Sequence, residues 1–139
     1  MAKLSYLLDL PVLAELTRPN GNRRVFTLFQ QRQALCAFAA PASYALQRGI
    51  EQMHDGERRT RLRGFVTELL RAGPPVLPFD AEAASWLARA DGDRARRNWS
   101  ALDGQLAAIA ATCELTLVTR NASAFAGLPG LRVEDWFRP

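Results

Sequence analysis

The chain has 139 residues, of which 48% are hydrophobic and 23% charged, and its formal net charge is +4. This composition is typical of a globular domain, and no apolar run is long enough to cross a bilayer, which argues against a disordered or membrane-spanning chain. The single histidine, His54, argues against a histidine-based metal site and against a Ser-His-Asp triad.

Cysteine usage and the first residues bear on the location of the protein. Cys36 and Cys113 lie in apolar runs without a Cys-x-x-Cys spacing, so we expect reduced thiols and a cytoplasmic protein. The N-terminal segment has one lysine and a short apolar run but no small-residue cleavage site, which favours a first strand over a signal peptide. The basic charge is compatible with nucleic acid or with an acidic partner.

The first half of the chain alternates apolar runs with pairs of helical segments. Residues 4–8 predict a strand that ends at Asp9, and Pro11 lies in the first turn of the helix that follows. A Pro-Asn-Gly turn at 19–21 ends that helix, and Asn22 caps a second one. The next predicted elements are a buried strand at 34–40, a helix opened by residues 41–43 and a helix over 56–73.

The second half begins with a short strand and a capped helix. Residues 75–79 predict a strand that Pro78 keeps short or places at a sheet edge, and Asp80 caps the next helix. We expect Trp99 to pack under the following helix rather than to stack on a nucleobase. A basic cluster precedes this tryptophan and consists of Arg94, Arg96 and Arg97.

Residues 100–121 predict one helix that leads into one buried strand. Ser100 caps the helix, and Asp103 lies in its first turn, where the helix dipole favours a carboxylate. The apolar run at 115–118 is typical of a strand buried on both faces. A polar triplet ends the strand and consists of Thr119, Arg120 and Asn121. The remaining predictions are a short helical turn at 122–126, a last strand at 131–133, and packing of Trp136 and Phe137 against the domain.

The order β-α-α-β-α-α-β-α-α-β-α-β predicts one domain over residues 1–139, in which helices cover both faces of a mainly parallel sheet of four or five strands. Ligands bind at the carboxyl ends of the strands in such sheets. We therefore expect Asp9, Asp103 and Thr119 to converge at one edge. Paired carboxylates at that edge are suited to a hard divalent cation such as Mg²⁺.

Five segments together resemble the PIN domain and, more narrowly, the VapC-type toxins of bacterial toxin–antitoxin pairs. They are LLD at 7–9, QRGIE at 47–51, PFD at 78–80, LDGQLAAIAA at 102–111 and LTLVTRN-x-x-x-F at 115–125. The resemblance covers nearly the whole chain and implies a doubly wound α/β/α sandwich. It also implies a metal-dependent endoribonuclease in which about four acidic residues hold Mg²⁺ or Mn²⁺.

The resemblance assigns roles to particular residues. Asp9 and Asp103 match two of the acidic positions, as catalytic residues and metal ligands, whereas Ala45 and Ala124 stand at the other two. Thr119 matches a catalytic position, and the RNA-binding residues that the resemblance implies are Arg120 and Asn121. None of the acids that we considered as replacements has suitable spacing; they are Glu51, Asp91, Asp93 and Glu114. We therefore expect any bound metal to be held weakly and cleavage of RNA to be weak or absent.

Three hypotheses for the function remain, and the first two share an antitoxin as the expected partner. The chain is either a ribonuclease with a reduced site or an inactive PIN domain kept for binding an antitoxin, another protein or nucleic acid. An unrelated doubly wound domain is the third hypothesis. The resemblance further implies a homodimer, a small antitoxin as the partner, possible RNA binding and no membrane association. The candidate residues for an antitoxin groove are Val12, Leu16, Phe26, Phe29, Tyr44 and Leu46.

Overall fold

The structure is a computed structural model that describes residues 3–92 and 99–139. The basic cluster at 94–97 and the predicted turn at Asp93 lie outside the described residues. No helix in the described ranges combines the length and the apolar character that a membrane span requires.

Five parallel strands form one sheet in the spatial order β3-β2-β1-β4-β5. They are β1 (Tyr6–Leu8), β2 (Cys36–Ala39), β3 (Val76–Leu77), β4 (Thr116–Val118) and β5 (Arg132–Glu134). The chain runs outward from β1 to β3 and then returns to the other side of β1 for β4 and β5. This doubly wound order confirms the predicted fold class and places the topological switch point between β1 and β4.

Helices connect the strands in the predicted order. They are α1 (Leu10–Leu16), α2 (Arg23–Arg32), α3 (Ala40–Glu51), α4 (Glu57–Ala72), α5 (Ala81–Gly92) and α6 (Ala101–Thr112). Two short 3₁₀ turns, Gln33–Leu35 and Ala122–Phe125, precede β2 and follow β4. Predicted strand ends were less accurate than predicted helices. The apolar run at 34–40 contains the end of the first 3₁₀ turn and the first residue of α3, whose early proline favours a helix start.

The core lies on both faces of the three middle strands. Leu7, Phe38 and Leu117 are completely buried, as expected for strands covered on both sides. Helix α6 packs against β1, β4 and α5, and its alanines at 107, 108 and 110 are buried, which allows a close approach to the sheet. Strand β3 lies at the sheet edge, as Pro78 indicates.

Trp99 packs at the start of α6, as predicted. Its ring lies against Gly104, where an added Cβ would be 3.4 Å from the indole and 2.9 Å from Leu87 Cδ1. The indole Nε1 donates a hydrogen bond to Asp91 Oδ1 at 2.9 Å, and the ring centroid lies 6.2 Å from that of Phe125. The glycine therefore provides the space that this tryptophan occupies.

The turn between α1 and α2 depends on a buried carboxylate and a glycine. Glu15 Oε2 accepts a hydrogen bond from the backbone N–H of Asn22 at 2.5 Å, and its Oε1 lies 3.2 Å from Arg18 Nη1. A Cβ at Gly21 would lie 2.5 Å from Phe26 Cε2 and 2.7 Å from the Glu15 carbonyl oxygen. No side chain fits at this position without a movement of the turn.

Replacement of Gly21 by alanine should therefore lower the free energy of unfolding by about 1–3 kcal/mol, because the added methyl group overpacks the turn. Urea unfolding followed by circular dichroism measures this loss. Gly64→Ala is the matched control, since this glycine lies in α4 with nothing within 4 Å of an added Cβ. The control should stabilise the protein by about 0.5–1 kcal/mol through helix propensity. Equal effects of the two substitutions would contradict the packing explanation.

Candidate functional site

Three neighbouring strands end in polar residues at the same edge of the sheet. Leu8 pairs with Val118, and Val118 pairs with Glu134. The next residues along these strands are Asp9, Thr119 and Asp135. The Asp9 N–H donates to the Val118 carbonyl at 3.1 Å, and the Thr119 N–H donates to the Glu134 carbonyl at 2.9 Å. The sheet therefore continues one step beyond the strands and aligns the three residues.

Asp9 is the most buried carboxylate of this group, with 2% of its surface exposed. Its Oδ1 accepts a hydrogen bond from the Val12 N–H at 3.2 Å and so caps α1, and its side chain is also hydrogen-bonded to that of Thr119. Burial raises the pKa of Asp9 to about 6, and the negative charges of Asp103 and Asp135 contribute to this rise. The two hydrogen bonds lower the pKa but do not offset burial. The carboxylate is held rigidly but is costly to ionise.

Asp103 reaches the same region from the start of α6. Its backbone N–H donates to the Ser100 hydroxyl at 3.1 Å, which is the predicted cap of that helix. Its side chain is half-buried, and its charge raises the pKa of Asp9. The structure thus brings together the two acidic residues and the threonine that sequence patterns suggested.

Asp135 is a third carboxylate near Asp9 that sequence reasoning missed. The signal was its place directly after a strand, as for Asp9, but the last strand was predicted to end at residue 133 and in fact includes Glu134. The Asp135 Oδ1 accepts a hydrogen bond from the Phe137 N–H at 2.8 Å, and its Oδ2 lies 3.7 Å from Arg138 Nε. Its carboxylate therefore also shapes the C-terminal turn.

The positions assigned to the other two acids carry no charge. Ala45 lies half-buried in α3, and Ala124 lies half-buried in the second 3₁₀ turn. Glu51 does not take the place of Ala45, since it forms a bidentate ion pair with Arg63 in which both N–O distances are 2.8 Å. Asp91 is bound to the Trp99 indole instead.

The donor set limits which metal site is possible. Within residues 3–92 and 99–139, no three Asp, Glu, His or Cys side chains gather closely enough to bind one ion. Magnesium commonly takes one or two carboxylates and completes its octahedron with waters and substrate phosphates. Asp9 and Asp103 are thus a donor set that could serve one such ion together with substrate, and they are too few for a pair of ions.

The other members of the polar triplet lie on the surface beside this edge. Arg120 is exposed, and its Cζ lies 3.8 Å from the ring centroid of Phe137. The Asn121 N–H donates to the Thr119 hydroxyl at 3.1 Å, and Asn121 Oδ1 accepts a hydrogen bond from the Ser123 hydroxyl at 3.2 Å. Asn121 therefore stabilises the turn after β4.

A separate apolar groove of about 680 Å³ lies between the α1–α2 turn and α4. Its apolar lining includes Leu16, Pro19, Phe26, Leu62 and Phe65, and its basic lining consists of Arg18, Arg58 and Arg61. Of the six candidate residues for an antitoxin groove, Leu16 and Phe26 line this one. Val12 and Phe29 belong to the core, Leu46 packs against the core, and Tyr44 is 64% exposed on α3, outside the groove.

The same fold occurs in chains of several solved complexes, and the predicted PIN-like fold is confirmed. One chain of a DNA-bound VapBC from Salmonella typhimurium superposes with a TM-score of 0.79 at 24% identity, over 96% of this chain and 98% of that chain. A chain of FitAcB from Neisseria gonorrhoeae superposes with a TM-score of 0.77 at 26% sequence identity, over 96% of this chain and 99% of that chain. The third structure is VapBC-5 from Mycobacterium tuberculosis, a member of the VapBC family of toxin–antitoxin systems. One of its chains superposes with a TM-score of 0.67 at 19% sequence identity, over 97% of this chain and 99% of that chain. No family model and no curated protein matches the sequence.

The buried carboxylate of Asp9 makes a testable contribution to stability. Because its folded-state pKa of about 6 lies above the ordinary 3.8, the folded state loses stability as the pH rises between these values. The loss at neutral pH amounts to about 2–3 kcal/mol. Asp9→Asn keeps the cap acceptor but removes the charge, so it should stabilise the protein at pH 7.5 and have little effect near pH 4.

Urea unfolding at several pH values, in the presence of EDTA, measures this difference. The matched control is Asp80→Asn, which makes the same change at the exposed residue that bonds the Ala83 N–H at the start of α5. The stabilisation at pH 7.5 should be larger for Asp9→Asn than for the control. A wild-type stability that does not fall between pH 4 and 7 would show that the charge of Asp9 is not costly.

Proposed function

We propose that this protein is the VapC-type toxin subunit of a toxin–antitoxin pair, that it acts in the cytoplasm as a homodimer bound to a small antitoxin, and that its ribonuclease activity is weak or lost. The observation that carries the proposal is the match of 96% of the chain to nearly complete chains of VapBC and FitAcB complexes. Two free thiols, Cys36 and Cys113, support the cytoplasmic location.

The residual site contains groups that suit phosphodiester chemistry. Asp9 and Asp103 would hold one Mg²⁺ or Mn²⁺, which when bound lowers the pKa of a coordinated water and offsets phosphate charge. Thr119 orients the Asp9 carboxylate through its hydrogen bond. Arg120 lies beside Thr119 with its side chain exposed, where it can contact an RNA phosphate.

The same site lacks what efficient cleavage requires. In-line displacement needs charge stabilisation at both the attacking and the leaving oxygen, which a pair of metal ions supplies in many nucleases. Ala45 and Ala124 remove two carboxylates from the positions that the resemblance assigns to metal ligands. This loss also favours the second candidate function, an inactive PIN domain that retains only its binding surfaces.

We expect little or no metal-dependent cleavage of a fluorescent RNA by the wild-type protein. The double variant Ala45→Glu/Ala124→Asp should bind Mn²⁺ more tightly and raise cleavage, because it restores carboxylates at the depleted positions. Its melting temperature in EDTA should fall, since carboxylates added at positions that the resemblance assigns to one acidic cluster repel the existing ones. The digest is run with Mg²⁺, Mn²⁺ and EDTA.

Asp9→Asn provides the control for the cleavage assay. A wild type that cuts RNA rapidly, and loses this activity in EDTA or with Asp9→Asn, would show that the existing carboxylates suffice. The activity half of the proposal would then be wrong, whereas the toxin–antitoxin half would stand.

The apolar groove is the proposed site for the antitoxin. An amphipathic helix can insert apolar side chains between Phe26 on α2 and Phe65 on α4, and Phe65 is still 50% exposed in the free chain. The arginines of the lining are complementary to carboxylates on the polar face of such a helix. The partner is therefore proposed to present an acidic amphipathic helix.

Phe65→Ser should weaken antitoxin binding at least about tenfold, because exposed aromatic anchors in a groove are typical hot spots. The partner is the small protein encoded by the neighbouring reading frame, and calorimetry measures the affinity. Tyr44→Ser is the matched control, since Tyr44 is exposed but does not line the groove. Equal losses for the two variants, or no loss for Phe65→Ser, would place the antitoxin elsewhere.

A further inference from the structure

We propose that Phe137 is a positioning residue that holds the guanidinium of Arg120 beside the strand ends of the carboxylate edge, so that its N–H groups bind a phosphate of single-stranded RNA. This inference rests on the proposed function only in that RNA is taken as the ligand. It assigns a role to the C-terminal turn, which the sequence patterns had connected only with packing.

The guanidinium of Arg120 lies in close contact with the ring of Phe137. The Arg120 Cζ lies 3.8 Å from the centroid of the Phe137 ring, which is van der Waals contact. The other arginine–aromatic contacts in the described part of the chain are looser: Arg32 lies 5.3 and 5.5 Å from two rings, and Arg48 lies 5.8 Å from one. An aromatic ring offers a guanidinium no hydrogen-bond acceptor in its plane, so a contact of this kind leaves most of the five N–H donors for other partners.

Among the described residues, no protein acceptor takes up the N–H donors of Arg120. Within residues 3–92 and 99–139, the Arg120 side chain forms no hydrogen bond or ion pair, although five N–H groups are present on a guanidinium. Arg63 and Arg71 differ, since each forms two hydrogen bonds with a neighbouring glutamate. Arg120 therefore combines a close aromatic contact with N–H donors that no described residue uses.

The ring beneath Arg120 is itself fixed to the sheet. The Phe137 N–H donates to Asp135 Oδ1 at 2.8 Å, and the ring packs partly buried against the core. The adjacent Trp136 is 1% exposed, and its Nε1 donates to Glu134 Oε1 at 3.2 Å. Strand β5, which carries this turn, pairs directly with β4, which carries Arg120 at its end. The two side chains therefore meet across neighbouring strands.

The position of Arg120 explains why its orientation matters. Carboxylates at this edge repel a phosphodiester, so RNA needs a positive group close to them in order to bind there. Arg120 follows Thr119, which contacts Asp9, and it can bind phosphate oxygens with two parallel N–H groups. A freely rotating arginine would lose more side-chain entropy on binding than one already held by a ring.

The experiment measures binding of a fluorescently labelled single-stranded RNA to the full chain in EDTA, by anisotropy at several salt concentrations. Phe137→Leu should weaken binding about three- to fivefold without a change in salt dependence, because the arginine charge remains. Phe137→Tyr should restore the affinity. Arg120→Gln should lower the slope of log K against log salt by about 0.7. The double variant Arg120→Gln/Phe137→Leu should bind no more weakly than Arg120→Gln alone.

Arg132→Gln is the charge control, since Arg132 lies at the opposite end of β5 and bonds the Glu114 carbonyl and the Thr116 hydroxyl. Nuclear magnetic resonance provides a readout that does not depend on RNA. The side-chain protons of Arg120 should show a ring-current shift in the wild type that Phe137→Leu abolishes.

The inference is overturned if Phe137→Leu binds RNA like the wild type or if the ring-current shift is absent. It is also overturned if the losses of RNA affinity in Phe137→Leu and Arg120→Gln add up in the double variant. A wild type that binds its antitoxin but not RNA would also overturn it and would leave the proposed toxin function intact. Loss of antitoxin affinity in Arg120→Gln with unchanged RNA binding would assign this arginine to the protein partner instead.

Discussion

The burial of one carboxylate at the end of the central strand is the constraint on which this structure depends. Asp9 ends β1, caps α1 through the Val12 N–H and is hydrogen-bonded to Thr119, so it joins the sheet, a helix and the switch point. Burial makes its charge costly, and no ion pair within the described residues offsets that cost. A cation supplied from outside the chain, such as one divalent metal ion, would reduce it.

Sequence patterns predicted the architecture well because it follows from local chemistry. Asn22, Asp80 and Ser100 each cap the helix expected of them, and the order of elements leaves a doubly wound sheet as the simple solution. Strand ends were harder, since apolar runs continue into neighbouring turns and helices. A last strand one residue too short was enough to hide Asp135. The contact between Arg120 and Phe137 was not predictable, because it depends on the path of the C-terminal turn.

The groove shows a similar limit in predicting exposed apolar surfaces from sequence. Amphipathic spacing marks an apolar face but does not separate the part that packs in the core from the part left open. Val12 and Phe29 satisfy the same periodicity as Leu16 and Phe26, yet only the latter two line the groove. The other wall comes from Leu62 and Phe65 on α4. Only the packing of α4 beside the α1–α2 turn creates the surface.

The groove and the carboxylate edge are connected by the shortest helix of the described chain. Helix α1 has seven residues, so about 10 Å separates its cap at Asp9 from Leu16 in the groove. Side-chain hydrogen bonds fix both ends, since the Val12 N–H donates to Asp9 and the Asn22 N–H donates to Glu15. Helix α1 is therefore anchored at the candidate site by one end and beside the groove by the other.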